Sequence, residues 1–362
     1  RYKMNLNNNI LLITKEFPKI APGGRELLNK FNHDVLSNIF AEKLKVLFLT
    51  PNTSRNLKKL FASLRCHIDG IDSEAINAMK EIIKKEKVKL VFIDGSNLGV
   101  LSEIGKKSFP DVKFIVFFHN VEFLFFYRMF RQNKNPLTLA VSIINYFAEK
   151  KALKNADEII MLNQRDKNDL ERFFVTKKVN IIPNSLVDNL KTKTSEIDFK
   201  DYMLFVGGAF FANFHGIKWF CKNVAPLVNQ TIVIIGYGFS EYKEELSIDK
   251  KIIVYDYVED LNIYYKNAKF VIAPIFHGSG MKTKVAEALM HGKKIIGTPE
   301  AFVGYEDHRH KAGWICNNAN EFVSAIDSAN NSIDEYYDED LRKIYKDNYS
   351  YESAIDKYKK IL

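Results

Sequence analysis

The chain has 362 residues, 46% of them hydrophobic and 27% charged, which suits two ordinary cores and excludes disordered and fibrous classes. Its net charge of +9 is uneven, with 31 Lys and Arg against 20 Asp and Glu in residues 1–190 and 22 against 24 in the remainder. No apolar run approaches the roughly 18 residues of a membrane-spanning helix, and no leader-like pattern opens the sequence, so a cytoplasmic protein is expected.

Short β-rich apolar runs alternate with longer amphipathic stretches, the rhythm of βαβ units and parallel sheets. In the first half, strands are predicted at Ile10 to Thr14, Lys45 to Leu49, Lys89 to Asp94, Lys113 to Phe118, Glu158 to Leu162 and Val179 to Ile182. After the first of these comes Pro22-Gly23-Gly24, a glycine turn ahead of a helix from about Arg25. His119 follows the fourth, and reads either as a group at a strand end facing ligand or as a buried structural histidine. Phe123 to Phe147 is aromatic-rich, with Arg128, Arg131 and Lys134 interspersed, and suits either a buried helix pair or a surface against an anionic membrane.

The pattern pauses at Pro183-Asn184, and the polar stretch Asp188 to Lys200 reads as a linker. Strands then resume at Tyr202 to Val206, Thr231 to Ile235, Ile252 to Tyr255, Phe270 to Pro274 and Lys294 to Gly297, and the chain turns helical from Asp334 onward. The predicted fold is α/β with two Rossmann-like βαβ domains facing across a central cleft. The expected division is a first Rossmann-like domain over residues 1–190, a second over 191–340, and a helical segment 341–362 that packs back toward the first. The cysteines Cys66, Cys221 and Cys316 are odd in number and lack metal-binding spacing, so reduced thiols are expected.

The chemistry concentrates in FVIAPIFHGSGMKTKVAEALMHGKKIIGT, from Phe270 to Thr298. A strand leads through Gly278, Ser279 and Gly280 into a helix from about Met281 to His291, and glycines at a helix mouth let backbone N–H groups approach an anion. Lys282, Thr283 and Lys284 are placed in the first turn, where cations oppose the helix dipole and call for a compensating anion such as a diphosphate, or are solvated lysines. Glu287 is the only acid in an apolar helix and needs a partner, either Lys284 one turn away or the hydroxyls of a ribose.

The run HGSGMKTKVAEALMHGKKIIGT resembles the donor-binding signature of GT-B glycosyltransferases, in particular glycosyltransferase family 4 (glycosyl transferases group 1) of bacterial surface-polysaccharide synthesis. The resemblance implies that Glu287 binds the nucleotide ribose and that Lys282 and Lys284 lie near the diphosphate. His277 stands where many members carry an earlier acid, or is an ordinary loop histidine. FVGGAFFANFHGIKWF, with Gly207, Gly208, Asn213 and Gly216, is similar to the family's first strand and loop of the nucleotide domain, although its usual basic pair is not evident there. Tyr257-Val258 resembles the turn that holds the nucleobase through backbone groups. By the same resemblance Gly23 and Gly24 face the donor phosphates and His119 touches the donor sugar or the reaction centre, which makes His119, Lys282 and Glu287 the catalytic candidates.

The implied activity is transfer of a sugar from a UDP- or GDP-sugar to a saccharide or lipid-linked acceptor. It would proceed with retention and without a metal or other cofactor, because lysines and a helix N-terminus can stabilise the leaving diphosphate. An inverting enzyme would need a base, for which Glu16, Asp94 and Glu122 are candidates. Asp338-Glu339-Asp340 reads as acidity at a helix start rather than as a metal motif. The rival readings are a sugar-nucleotide epimerase of the same architecture and a non-catalytic GT-B partner protein. No nucleic-acid module is recognisable. The partners expected are the donor, the acceptor and the anionic inner face of a membrane.

Overall fold

The computed structural model describes residues 8–17, 24–50, 62–176, 179–190, 197, 199–278 and 280–362. The chain divides into two compact units, one of Arg1–Pro183 with Ile355–Leu362 and one of Asn184–Ala354.

The first unit holds a six-stranded parallel sheet in the order β2-β1-β3-β4-β5-β6, where β1 is Ile10–Lys15, β2 Leu44–Leu49, β3 Leu90–Asp94, β4 Lys113–Phe118, β5 Glu158–Met161 and β6 Val179–Ile181. The inner strands ILLITK, LVFID and KFIVFF are buried on both faces, which is why they read as continuous apolar runs. Edge strand β2, LKVLFL, is nearly as apolar but only half buried. The helices are α1 (Gly24–Phe40), α2 (Ser73–Lys85), α3 (Val100–Ser108), α4 (Glu122–Asn133), α5 (Pro136–Asn155) and α6 (Gln164–Glu171). Local chemistry sets their starts: Asp72 caps α2, Asn163 caps α6, and Asn135 caps α5 ahead of Pro136, whose missing N–H costs nothing in a first turn.

The second unit repeats the plan. Its six parallel strands run in the order β12-β11-β10-β7-β8-β9, with β7 Tyr202–Val206, β8 Ile232–Ile235, β9 Ile252–Tyr255, β10 Ala268–Ala273, β11 Ile295–Gly297 and β12 Gly313–Ile315. Its helices are α7 (Phe211–Asn223), α8 (Lys243–Leu246), α9 (Leu261–Asn267), α10 (Thr283–Met290), α11 (Arg309–Ala312), α12 (Ala319–Ser332), α13 (Glu339–Asn348) and α14 (Tyr351–Ile361), the last of which runs on into the first unit. The strand order reverses between β7 and β10, so the loops leaving these two neighbours open side by side at the carboxyl edge, the place where open α/β sheets take ligands.

The strands expected from sequence are present, and β12 is the addition; three residues beginning with glycine carry too little pattern to be read. The expected linker lies mostly outside the described residues, but its first residue, Asp188, pairs with buried Arg342 of α13. Asp338 caps α13 by accepting from Asp340 and Leu341 N–H, so the acidic run there does start a helix.

Candidate functional site

The reversal point of the second sheet gathers most of the residues singled out from sequence. At the end of β7, Gly207 has φ +146, and a Cβ there would meet Asn213 Nδ2 at 2.9 Å and Lys284 Nζ at 3.2 Å, so a side chain is excluded twice over. Asn213, in the first turn of α7, donates to Gly208 O at 2.8 Å and accepts from Lys284 Nζ at 2.5 Å. One amide thereby joins the β7 loop to α10. Gly216, one turn further on, lets α7 approach the end of β10: a Cβ there would lie 1.8 Å from Pro274 O.

The helix itself starts two residues later than expected. Lys282 is extended (φ −95, ψ 109) and precedes the helix without a side-chain cap, and the first helical residue is Thr283. The two lysines therefore have different surroundings. Lys282 Nζ donates to Gly280 O and to Glu300 Oε1, both at 2.8 Å, so its charge is already met by a carboxylate that the sequence did not point to. Lys284 is buried, with Nζ 4.5 Å from the centroid of the Phe205 ring. Burial lowers its ammonium to about 7, against the pull of Glu287 and with the push of Lys282.

Glu287 does not ion-pair with Lys284, as the one-turn spacing allowed. Its Oε2 accepts from the buried Tyr265 hydroxyl of α9 at 2.9 Å, and among the described residues none donates to Oε1. Burial raises its carboxyl above the ordinary range, opposed by the Tyr265 hydrogen bond and by Lys284. Behind it the Tyr265 ring lies parallel to His291 at 4.2 Å, and burial holds that imidazole down at about 4 and hence neutral. Tyr305 closes the other side, its hydroxyl donating to Lys282 O at 3.0 Å.

Other predicted residues fall at or away from this cluster. Gly278 (φ +145) and Gly280 (φ +65) both use backbone that favours glycine, in the loop before Lys282. Met281 is buried, and its Sδ accepts from Asn184 N–H. His277 and Thr283 are exposed, as is Tyr257 after β9, with Val258 half buried beside it. Ser279 and Gly23 lie outside the described residues, while Gly24 begins α1.

His119 belongs to the first unit, at the end of β4, and is 2% exposed. Its Nε2 lies 3.0 Å from Asp94 Oδ1, and that carboxylate also accepts from Thr14 Oγ1 at 2.9 Å and Asn32 Nδ2 at 2.8 Å. Both His119 and Asp94 are thus buried, and among the described residues neither ring nitrogen of His119 makes a hydrogen bond of good geometry. Glu122 is likewise buried at the start of α4, and Glu16 alone of the three proposed bases is exposed. The first sheet has its own reversal point, between β1 and β3. There Lys15, Arg25, Asp69 and Asn97 form a polar cluster, with Lys15 Nζ 2.9 Å from Asp69 and Arg25 Nη2 donating to Asn97 at 2.7 Å. No motif marked Tyr265, Glu300 or this cluster, because each acts through residues far away in sequence.

Comparison with known proteins adds two findings. A family model described as Glycosyl transferases group 1 matches residues 200–331, which places that domain over most of the second unit. No curated protein matches the chain. Among solved structures, sucrose-phosphate synthase from Thermosynechococcus elongatus superimposes with a TM-score of 0.70 at 13% identity, covering 98% of each chain. HepE from Anabaena, in complex with UDP and glucose, gives 0.63 at 13%, covering 98% of this chain and 99% of that one. MurG from Acinetobacter baumannii gives 0.54 at 13%, with 98% and 99% covered. These likenesses establish the GT-B fold expected from sequence.

Proposed function

We propose that the protein is a glycosyltransferase that moves a sugar from a nucleoside-diphosphate donor, a UDP- or GDP-sugar, to a saccharide acceptor, with retention of anomeric configuration. The observation that carries this reading is the arrangement around α10, inside the region that matches the glycosyl transferase domain. Glu287 turns one oxygen to Tyr265, while Lys284 and the glycine-lined β7 and β10 loops meet at the same strand ends.

In this reading Glu287 Oε1 accepts from a ribose hydroxyl. The diphosphate lies at the uncapped N-terminus of α10, between Lys282 and Lys284. As the glycosidic bond breaks, negative charge grows on the departing phosphate, and these groups stabilise it without reorganising. This supply of positive charge supports a reaction that needs no metal. The diphosphate competes with Glu300 for Lys282, and it favours the charged form of Lys284, which burial otherwise weakens.

Isothermal titration with UDP and GDP tests the site. One of the two binds, and Glu287→Gln weakens it about 10-fold or more, the range for a hydrogen bond to a charged group. Equal affinity in wild type and variant rejects the assignment of Glu287. Transfer is then followed by NMR of the product, where an inverted anomeric centre rejects retention.

A further inference from the structure

Helix α5 is built inside out. The face it buries carries Thr138, Ser142, Asn145, Ala148, Glu149, Ala152 and Leu153, polar or small over most of its length. Those polar groups are put to use: Ser142 Oγ donates to Phe123 O at 2.7 Å, and Glu149 accepts from Ser96 Oγ and from Glu122 and Phe123 N–H at the start of α4. The opposite face, at spacings of three and four, presents Ala140, Ile143, Phe147, Lys150 and Lys154 to solvent, with Leu137 beside it. Ile143 is 50% exposed, Phe147 49% and Leu137 69%. A helix on a water-facing surface shows the reverse pattern.

The exposed charge that α4 and α5 themselves carry has one sign. From Phe123 to Ala156 the sequence contains a single acid, Glu149, and it is buried. Against it stand Lys150 and Lys154 on the outward face, Arg131 in the last turn of α4 and Lys134 in the exposed turn that follows, with Tyr127 and Met129 exposed on α4. Acids from elsewhere, Glu103 and Asp169, pair with Lys151 and Arg128 of the same two helices, but the outward face itself carries none. Large apolar side chains flanked by long cationic ones match an anionic surface whose interior is hydrocarbon. Protein interfaces are depleted in lysine, which here supplies three of the four cations. No helix among the described residues is long and apolar enough to cross a membrane, so contact is from the side.

We infer that the outward face of α5, with the α4–α5 turn, docks the protein on an anionic lipid bilayer. Ile143, Phe147 and Leu137 enter the boundary between headgroups and acyl chains, while Arg131, Lys134, Lys150 and Lys154 meet the phosphates. This docking does not depend on which sugar is transferred, or on whether one is.

The test is flotation of the full chain with vesicles of phosphatidylcholine alone or mixed with phosphatidylglycerol. The protein floats with the mixed vesicles and at least about 10-fold less with the neutral ones, and salt releases it. Ile143→Glu with Phe147→Glu abolishes flotation, and Lys150→Glu with Lys154→Glu weakens it about five-fold or more per lysine. Far-UV circular dichroism confirms folding, and Ile143→Ser with Phe147→Ser serves if the glutamates unfold the helix. Failure of the wild type to float, equal flotation with neutral vesicles, or wild-type flotation by the folded variants overturns the inference. So does a dimer in light scattering that Ile143→Glu dissociates while vesicles are ignored.

Discussion

The sharpest assignment at the scale of single residues concerns Tyr265. Its hydroxyl fixes one oxygen of Glu287, and its ring is fixed in turn against His291, so the carboxylate is held in one orientation by a neutral, buried stack. Tyr265→Phe removes only the hydroxyl. If Glu287 grips ribose, the variant binds the preferred nucleoside diphosphate about five-fold more weakly, the worth of one such hydrogen bond, and discriminates less against the 2′-deoxy form. Titration of both ligands measures this, and an unchanged ratio would show Tyr265 to be packing alone. Sequence made Glu287 visible because an acid stands alone among Val285, Ala286, Ala288 and Leu289. Tyr265 stayed hidden because it sits in a run of aromatic residues that reads as core, and its partner is 22 positions away. Glu300 was missed for the same reason, 18 positions from Lys282.

Among the elements, α7 and α10 show what periodicity can and cannot tell. The end of α10 fell close to its expected place, but its start did not: Lys282 belongs to the loop because its carbonyl is held by the Tyr305 hydroxyl and its ammonium by Glu300, both tertiary contacts. The seat of α7 was legible only as a glycine in a motif, and the structure gives Gly216 a reason in the 1.8 Å that a Cβ would leave to Pro274 O. Gly216→Ala must push backbone against backbone. It should cost about 1–3 kcal/mol of stability and loosen nucleotide binding too, since the same helix carries Asn213. A thermal melt with and without UDP or GDP separates the two effects, and an unaltered melting temperature would contradict the packing described. For α5 the sequence left a buried helix pair and a membrane-facing surface both open, because its apolar residues lie outward and its polar ones inward.

For the molecule as a whole, the repeated doubly wound plan was plain in the alternation of strands and helices, and the uneven charge was plain in the counts. The consequences of burying charge were not. Glu149 is fully buried, and its carboxyl is raised to about 8, burial being the main cause and its hydrogen bonds opposing it. A carboxyl raised on folding favours the folded state most when protonated, so its contribution is complete below the unfolded value near 4.5 and is lost as pH climbs toward 8. Glu149→Gln, which mimics the protonated form, should therefore gain on wild type by a few kcal/mol between about pH 5 and 8, at roughly 1.4 kcal/mol per unit. Denaturant titrations at both pH values check this, and a difference independent of pH would mean that Glu149 stays ionised. Lys284 and Lys293, both lowered by burial to about 7, act in the opposite sense at higher pH: each costs stability in full below 7 and less as pH rises toward 10.5.

The return of Ile355–Leu362 to the first unit has a consequence for the order of assembly. Tyr358 is fully buried there, its hydroxyl on Asn32 at 2.5 Å and its ring against Phe92, so part of the core of the first unit waits for a tyrosine made only after the whole of the second unit. The second unit, an uninterrupted stretch of chain, has all its pieces sooner. A chain cut after Ala354 would thus contain every residue of the second unit and a first unit still missing a wall.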